Sequence, residues 1–230
     1  MKFQYYWNNV PGHGQCRNNL IYTSLISEDA NTFVQWYFND IGYHKAQNQV
    51  VDSDKMDEKW HREIKYLTLM QRTYPELVPE IINIDYISKK VYLKIDGPDF
   101  WEQSGCTIEN YSKVLPDWED QMLAIVKAHK DLGLFKYSMH PSSYFIVNGK
   151  LKSINYFFTY DKNDIPISIS DVESHIYTTR QSEMRKHINK LGVEWDTPQS
   201  FEVLEQLCWA SFSTNYPASF IKKVTAMIGS

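Results

Sequence analysis

The stretch from Lys136 to Phe158, KYSMHPSSYFIVNGKLKSINYFF, puts hydroxyl, imidazole and amide groups on a loop and the hairpin after it: Ser138, His140, Ser143 and Asn155. An active-site loop of this outline normally carries acids, because a carboxylate takes up a proton or holds a divalent cation. Serine with an ordinary pKa is no general base at neutral pH without help, and such assistance is typically worth about 100- to 10,000-fold in rate. Asparagine offers an oxygen without the charge that a divalent cation prefers. The acids that follow, Asp161 and Asp164, are metal-ligand candidates on chemistry and turn formers on composition, since they bound the loop Asp-Lys-Asn-Asp.

A second stretch, Pro11-Gly12-His13-Gly14, has the composition of a loop that arches over phosphates. Gly12 and Gly14 would let the main chain approach closely with its N–H groups turned inward. A surface turn accounts for the same residues. The remaining histidines, His13, His44, His61, His129, His175 and His187, show no metal-binding spacing, and Cys16, Cys106 and Cys208 are far apart, odd in number and without a C-x-x-C pair. A reducing compartment is the simplest expectation, and no metal site is read from these residues.

The bulk properties limit the function classes. The 230 residues are 43% hydrophobic and 15% aromatic, ample for packed cores. A net charge of −4 argues against a protein whose main task is neutralising nucleic-acid phosphates. The opening MKFQYYWNNVPGHGQC lacks the basic tip and apolar run of a secretory signal, and about 18 uninterrupted apolar residues occur nowhere, so a soluble cytoplasmic protein without membrane or nucleic-acid partners is expected.

The elements that must position these groups follow from periodicity. Leu20 to Ile26 and Thr32 to Phe38 are rich in β-branched and aromatic residues around a turn at Glu28-Asp29-Ala30-Asn31, which predicts a hairpin. From Ser53 a helix is predicted, with Met56, Trp60, Ile64, Leu67 and Met70 along one face and Pro75 as its end. On that pattern Glu63 is a solvent-facing helix carboxylate unless it has a lysine partner, for which Lys45 is the first candidate. Ile81 to Ile87 and Lys90 to Ile95 read as strands leading into the breaker Asp96-Gly97-Pro98, a candidate hinge. Beyond it lie a helix stopped by Gly133, a tight hairpin joining Tyr144–Val147 to Leu151–Phe157 through Asn148-Gly149, and helices near 171–191, 198–211 and 217–228. Strands and one long helix, then helices broken by one hairpin, make an α+β fold with a β-rich N-terminal lobe over 1–97 and a helical C-terminal lobe over 98–230.

This order, with His140-Pro141 and the Asn148-Gly149 hairpin, resembles the protein-kinase-like superfamily, nearest its aminoglycoside and choline phosphotransferase branch. Ala128-His129-Lys130-Asp131-Leu132-Gly133-Leu134 is similar to the helix end before that family's catalytic loop. Arg62-Glu63-Ile64 is similar to the helix presenting a glutamate to the phosphate-binding lysine, and Lys94-Ile95-Asp96-Gly97 to the inter-lobe strand. The resemblance implies a two-lobed fold, ATP with magnesium as cofactor where the chemistry survives, and a small-molecule or protein ligand in the inter-lobe cleft. Its phosphate- and metal-binding positions fall on Gly12, Gly14, Glu63, Ser143 and Asn155, with Lys45 as the substitute lysine.

The departures bear on activity. The family's proton-accepting aspartate is Ser138, its metal-binding asparagine is Ser143, and its second metal-binding aspartate is Asn155. Gln35 or Trp36 stands where the strand-borne lysine is expected. His140 is retained and serves as well for a buried structural group as for a loop organiser. The expectation is a kinase-like module that lacks the usual acids, with an active phosphotransferase of rewired ligands as the alternative.

Overall fold

The computed structural model describes residues 2–6, 23–37, 53–163, 168–169 and 178–229. It is an α+β protein with a sheet-rich part and a helical part. Contacts group residues 1–115 and 142–158 into one compact unit, and 116–141 with 159–230 into a second. Residues 98–115 and the Asn148-Gly149 hairpin therefore pack with the sheet.

The first unit is built on an antiparallel sheet of five strands in the order β1-β2-β3-β5-β4. These are β1 (Phe3–Tyr5), β2 (Thr23–Ser27), β3 (Thr32–Trp36), β4 (Ile81–Asp85) and β5 (Lys90–Lys94). The hairpin expected around residues 28–31 is present as β2 and β3, with Ser24 opposite Gln35. Its turn is held by Ser27, whose Oγ accepts from the Thr32 N–H at 2.9 Å. Strand β3 is central and buried: Phe33 and Gln35 are wholly inaccessible, and Tyr37 just beyond it is 1% exposed. Because side chains alternate along a strand, these three share one face.

Helix α1 (Ser53–Thr73) is the long helix expected from the sequence and gives way at Pro75, which lacks the N–H a further turn would need. Its buried stripe differs from the expected one. Trp60, Glu63, Tyr66, Leu67 and Met70 are buried, while Ile64 is only half-buried. Main-chain bonds from Ile95 and Gly97 to the β2–β3 turn carry β5 past its last strand residue, at 2.9 and 3.0 Å, and Gly97 takes a φ of +86° that suits glycine. Two short helices follow, α2 (Phe100–Gln103), capped by Asp99, and α3 (Tyr111–Val114). In the second unit, α4 (Trp118–Asp131) stops at Gly133, φ +65°, as the sequence predicts.

Strand β6 (Leu134–Lys136) pairs with β9 (Thr159–Asp161) in the second unit, and β7 (Tyr144–Val147) pairs with β8 (Lys150–Ser153) in the first. The β7–β8 turn has Asn148 and Gly149 at φ +51° and +71°, the geometry a two-residue hairpin requires. Strand β8 ends at Ser153 rather than running to Phe157, because Asn155 adopts φ +67°, which breaks an extended chain. The helical unit is completed by α5 (Thr178–Leu191), α6 (Phe201–Ser211) and α7 (Ala218–Ile228). Its core is aromatic: Phe220 sits 4.8 Å from Trp118, and Trp209 sits 5.5 Å from Tyr216, by ring centroids. No helix among the described residues is long and apolar enough to cross a membrane.

Candidate functional site

In the sheet unit three side chains form one chain of hydrogen bonds. Gln35 Nε2 donates to Asn155 Oδ1 at 2.9 Å, and Asn155 Nδ2 donates to Ser143 Oγ at 2.9 Å. Strand β3 supplies the first residue, the turn entering β7 the last, and the bend after β8 the middle one. The fit follows from local structure. Asparagine tolerates the left-handed backbone at 155, and the Ile154 N–H to Ser143 carbonyl bond, 2.9 Å, holds the two ends of the hairpin together. Gln35, Ser143 and Asn155 are 0%, 3% and 5% exposed.

Every member of this chain is neutral. Asn155 uses its oxygen on Gln35 and its nitrogen on Ser143, so neither its charge nor its hydrogen-bonding state suits a magnesium ion, which seeks anionic oxygens in a near-octahedral shell. Among the described residues no group of three or more His, Cys, Asp or Glu side chains is arranged to hold a metal ion. Gln35, Ser143 and Asn155 therefore do not fit magnesium triphosphate as its binding set.

Glu63 lies in the same unit and differs from expectation. It is wholly buried, not solvent-facing, and its Oε2 accepts from the Tyr37 hydroxyl at 2.9 Å. Tyr37 follows Gln35 by two residues on the same strand face, so one strand presents an amide to Asn155 and a phenol to Glu63. The charge of Glu63, after burial itself, pushes the Tyr156 hydroxyl well above the ordinary phenol range. Its expected partner Lys45 lies outside the described residues, as do Gly12 and Gly14.

Ser138 and His140 belong to the helical unit. Ser138 is half-buried, and its carbonyl accepts from Lys136 Nζ. The neighbouring carbonyls are engaged too, Tyr137 by the Cys208 thiol at 3.1 Å and Met139 by the Tyr216 hydroxyl. His140 is 5% exposed, packs by its ring on Phe212 and has Nε2 3.4 Å from Asn215 Nδ2, which leaves the ring proton on Nδ1 when the amide donates. The loop is thus strapped through its main chain, and His140 serves it as a packed, bonded group. Asp161 Oδ1 accepts from the Asn163 N–H at 2.9 Å and from its side-chain amide at 3.0 Å, the work of a turn former, while Asp164 lies outside the described residues.

No family model matches the chain, and no characterised protein matches it in sequence. Among solved structures, three of WbdD align with the whole chain. One, of the bifunctional kinase-methyltransferase WbdD, has 13% identity and a TM-score of 0.45 over 51% of that protein's chain. Another has 11% identity and a TM-score of 0.42 over 50%. A co-crystal of WbdD with a kinase inhibitor has 12% identity and a TM-score of 0.43 over 49%. The chain spans about half the length of the WbdD chains it aligns with.

Sequence reasoning missed three features of these two units: the partner of Glu63, the buried Lys136, and a tyrosine near the start of the chain, Tyr6, whose hydroxyl meets Asp99 and Glu102. The first left a signal, because Glu63 falls three residues after Trp60 and four before Leu67, as regular a step on the stripe as Ile64.

Proposed function

We propose that this chain is a kinase-like binding module without phosphoryl transfer, a pseudokinase in form, whose ligand is a small molecule or a protein. The single observation that carries the reading is the Gln35–Asn155–Ser143 chain. The sequence resemblance expects aspartate at Asn155, asparagine at Ser143 and the strand-borne lysine at Gln35 or Trp36. A lysine and a carboxylate would draw phosphate and metal together there, whereas two amides and a hydroxyl, all neutral, hydrogen-bond one to the next. The aspartate expected at Ser138 is also absent, so neither proton acceptance nor metal holding has its usual group.

A second reading, an ATP-dependent small-molecule phosphotransferase with rewired metal ligands, is favoured by the burial of Glu63 against β3. That position is the one from which the family's glutamate holds its lysine. The two readings part in one experiment. A ligand that binds only the native state adds about 2.7 kcal/mol at a hundredfold excess over its Kd. The module reading expects no melting shift with magnesium and millimolar ATP, and no release of γ-phosphate. Magnesium-dependent γ-phosphate release that Asn155→Ala abolishes would establish the enzyme instead.

A further inference from the structure

We propose that a second copy of this chain docks on the outer edge of the sheet, β4 against β4, so that two five-stranded sheets become one continuous sheet. Strand β4 ends the strand order, with β5 on one side and no strand on the other. Among the described residues, the large apolar side chains most open to solvent are Ile82, Tyr86, Ile87 and Leu191, at 51%, 64%, 96% and 42% exposure. The first three lie on β4 or in the turn that follows it. A sheet edge that stays single is normally blunted by charge, proline or a bulge. Here the register with β5 shifts between Ile81 and Asn83, and the residue left over is Ile82, half in solvent. The bulge thus adds an apolar side chain to the edge where a charge would protect it.

The order of side chains along β4 selects the occupant. Ile81 and Ile84 pair with Leu93 and Val91, both wholly buried, while Asn83 and Asp85 pair with Tyr92 and Lys90, so apolar and polar residues take opposite faces. Two copies of one strand pair antiparallel about a twofold axis. With that axis at Ile84, Ile82 stands opposite Tyr86 of the second copy, Ile81 opposite its Ile87, and Asn83 opposite its Asp85. Apolar then meets apolar, and an amide donor meets a carboxylate, on both sides of the axis. An axis at Asp85 would set two carboxylates face to face, and an axis at Asn83 would set Glu80 against Tyr86. Asp85 Oδ1 accepts from the Ile87 and Ser88 N–H groups at 3.0 and 2.9 Å, and a carboxylate has lone pairs left for the second copy's amide. Charge matches as well. The segment is acidic where it enters, at Glu76 and Glu80, and basic where it leaves, at Lys89 and Lys90, so the antiparallel copy brings Glu80 opposite Ser88 and next to Lys89. The Glu80 side chain is 67% exposed, and its 3.1 Å ion pair with Lys94 lies at the surface, where a second lysine can share it. Strand β4 contributes no residue to the Gln35–Asn155–Ser143 chain, so dimerisation stands apart from phosphotransfer.

Sedimentation equilibrium of the whole chain tests this, without ATP or magnesium. Two short strands cover less than the roughly 1,200 Å² of a standard interface, so a monomer–dimer equilibrium with a Kd of about 1 μM to 1 mM is expected. Asn83→Asp sets a carboxylate opposite Asp85 on both sides of the axis and should raise the Kd about tenfold. Adding Asp85→Asn exchanges the two partners and should restore the wild-type Kd, a rescue that no other register gives. Ile87→Asp, at a position 96% exposed in the monomer, should weaken the dimer while leaving the circular dichroism of a dilute sample unchanged, which keeps the test open if Asn83→Asp does not fold. A chain that stays monomeric up to about 1 mM would leave the edge to a foreign strand and overturn the proposal. A dimer indifferent to Asn83→Asp or to Ile87→Asp, a double variant no tighter than Asn83→Asp alone, or assembly that grows past the dimer would overturn it equally.

Discussion

Gln35 and Asn155 lie 120 residues apart in sequence and are joined by a buried 2.9 Å bond from one side-chain amide to the other. Asn155 then passes the contact on to Ser143. Removing it should cost more than its own bonds, because partners without access to water are left behind and such a stranded group typically costs about 1–3 kcal/mol. Asn155→Gly keeps the φ of +67° and isolates that effect. Asn155→Ala adds the strain of a left-handed backbone, about 1–2 kcal/mol more. In urea titrations Asn155→Ala should be the less stable of the two. Combined with Gln35→Met, Asn155→Gly should cost less than the sum of the single changes, by roughly 0.5–3 kcal/mol, since both act on one bond.

The Tyr37 hydroxyl donates to a carboxylate that has no exposure to solvent. Tyr37→Phe preserves the ring packing on Trp60, at 5.6 Å, and deletes the hydroxyl that makes the bond. Hydrogen bonds to charged groups are worth about 1.5–3 kcal/mol, so a loss of that order is expected at neutral pH. Glu63→Gln keeps an acceptor for Tyr37 and should cost less in the same denaturation assay. Equal losses from both changes would mean that the charge of Glu63, and not this bond, sets the cost.

Much of the architecture is legible because it is local. The Asn148-Gly149 turn needs positive φ at both positions, Pro75 cannot continue a helix, and Gly133 stops one. What stayed hidden depends on side chains far apart in sequence. Glu63 belongs to the buried stripe of α1 only because β3 brings Tyr37 to it, and Asn155 ends β8 only because its amide is used twice at φ +67°. The three-residue β1 is too short to carry a period, yet it delivers Tyr6 to Asp99 across 93 residues. Polarity at Ser138, Ser143 and Asn155 was plain in the sequence. That Asn155 would join Gln35 to Ser143 was not.

His129 is a buried imidazole in α4 whose pKa is lowered to about 3, by burial first and then by the nearby charge of Lys136. An ordinary value in the unfolded chain is 6.5, so the unfolded state binds the proton more readily. The stability that the neutral ring contributes is complete above that value and is lost as pH falls toward about 3. Within this window the stability of the wild type should decline by up to about 1.4 kcal/mol per pH unit from this group. His129→Gln should flatten that slope in melting curves recorded between pH 6.5 and 4, whatever its effect on absolute stability. An unchanged slope would assign the acid sensitivity elsewhere.

Glu205 works in the opposite direction. It lies on α6 with 1% exposure, and its Oε2 finds no hydrogen-bond partner among the described residues. Burial raises its pKa from 4.5 to about 7, against the pull of Lys130 and with a small push from Glu202. A carboxyl with a raised folded-state value stabilises the fold fully below its unfolded pKa, and that contribution is lost as pH rises through the folded one, here from about 4.5 to about 7. The shift corresponds to about 3 kcal/mol as an upper figure, because each pH unit is worth about 1.4. Glu205→Gln, which stays neutral and similar in shape, should therefore match the wild type near pH 4.5 and melt several degrees higher at pH 8. Lys130 donates one of its three N–H groups to the Met227 carbonyl at 2.7 Å near the end of α7, which leaves donors with which it could also serve Glu205. If the variant gained nothing at pH 8, Lys130 would have to be serving both carboxylate and carbonyl once Glu205 ionises.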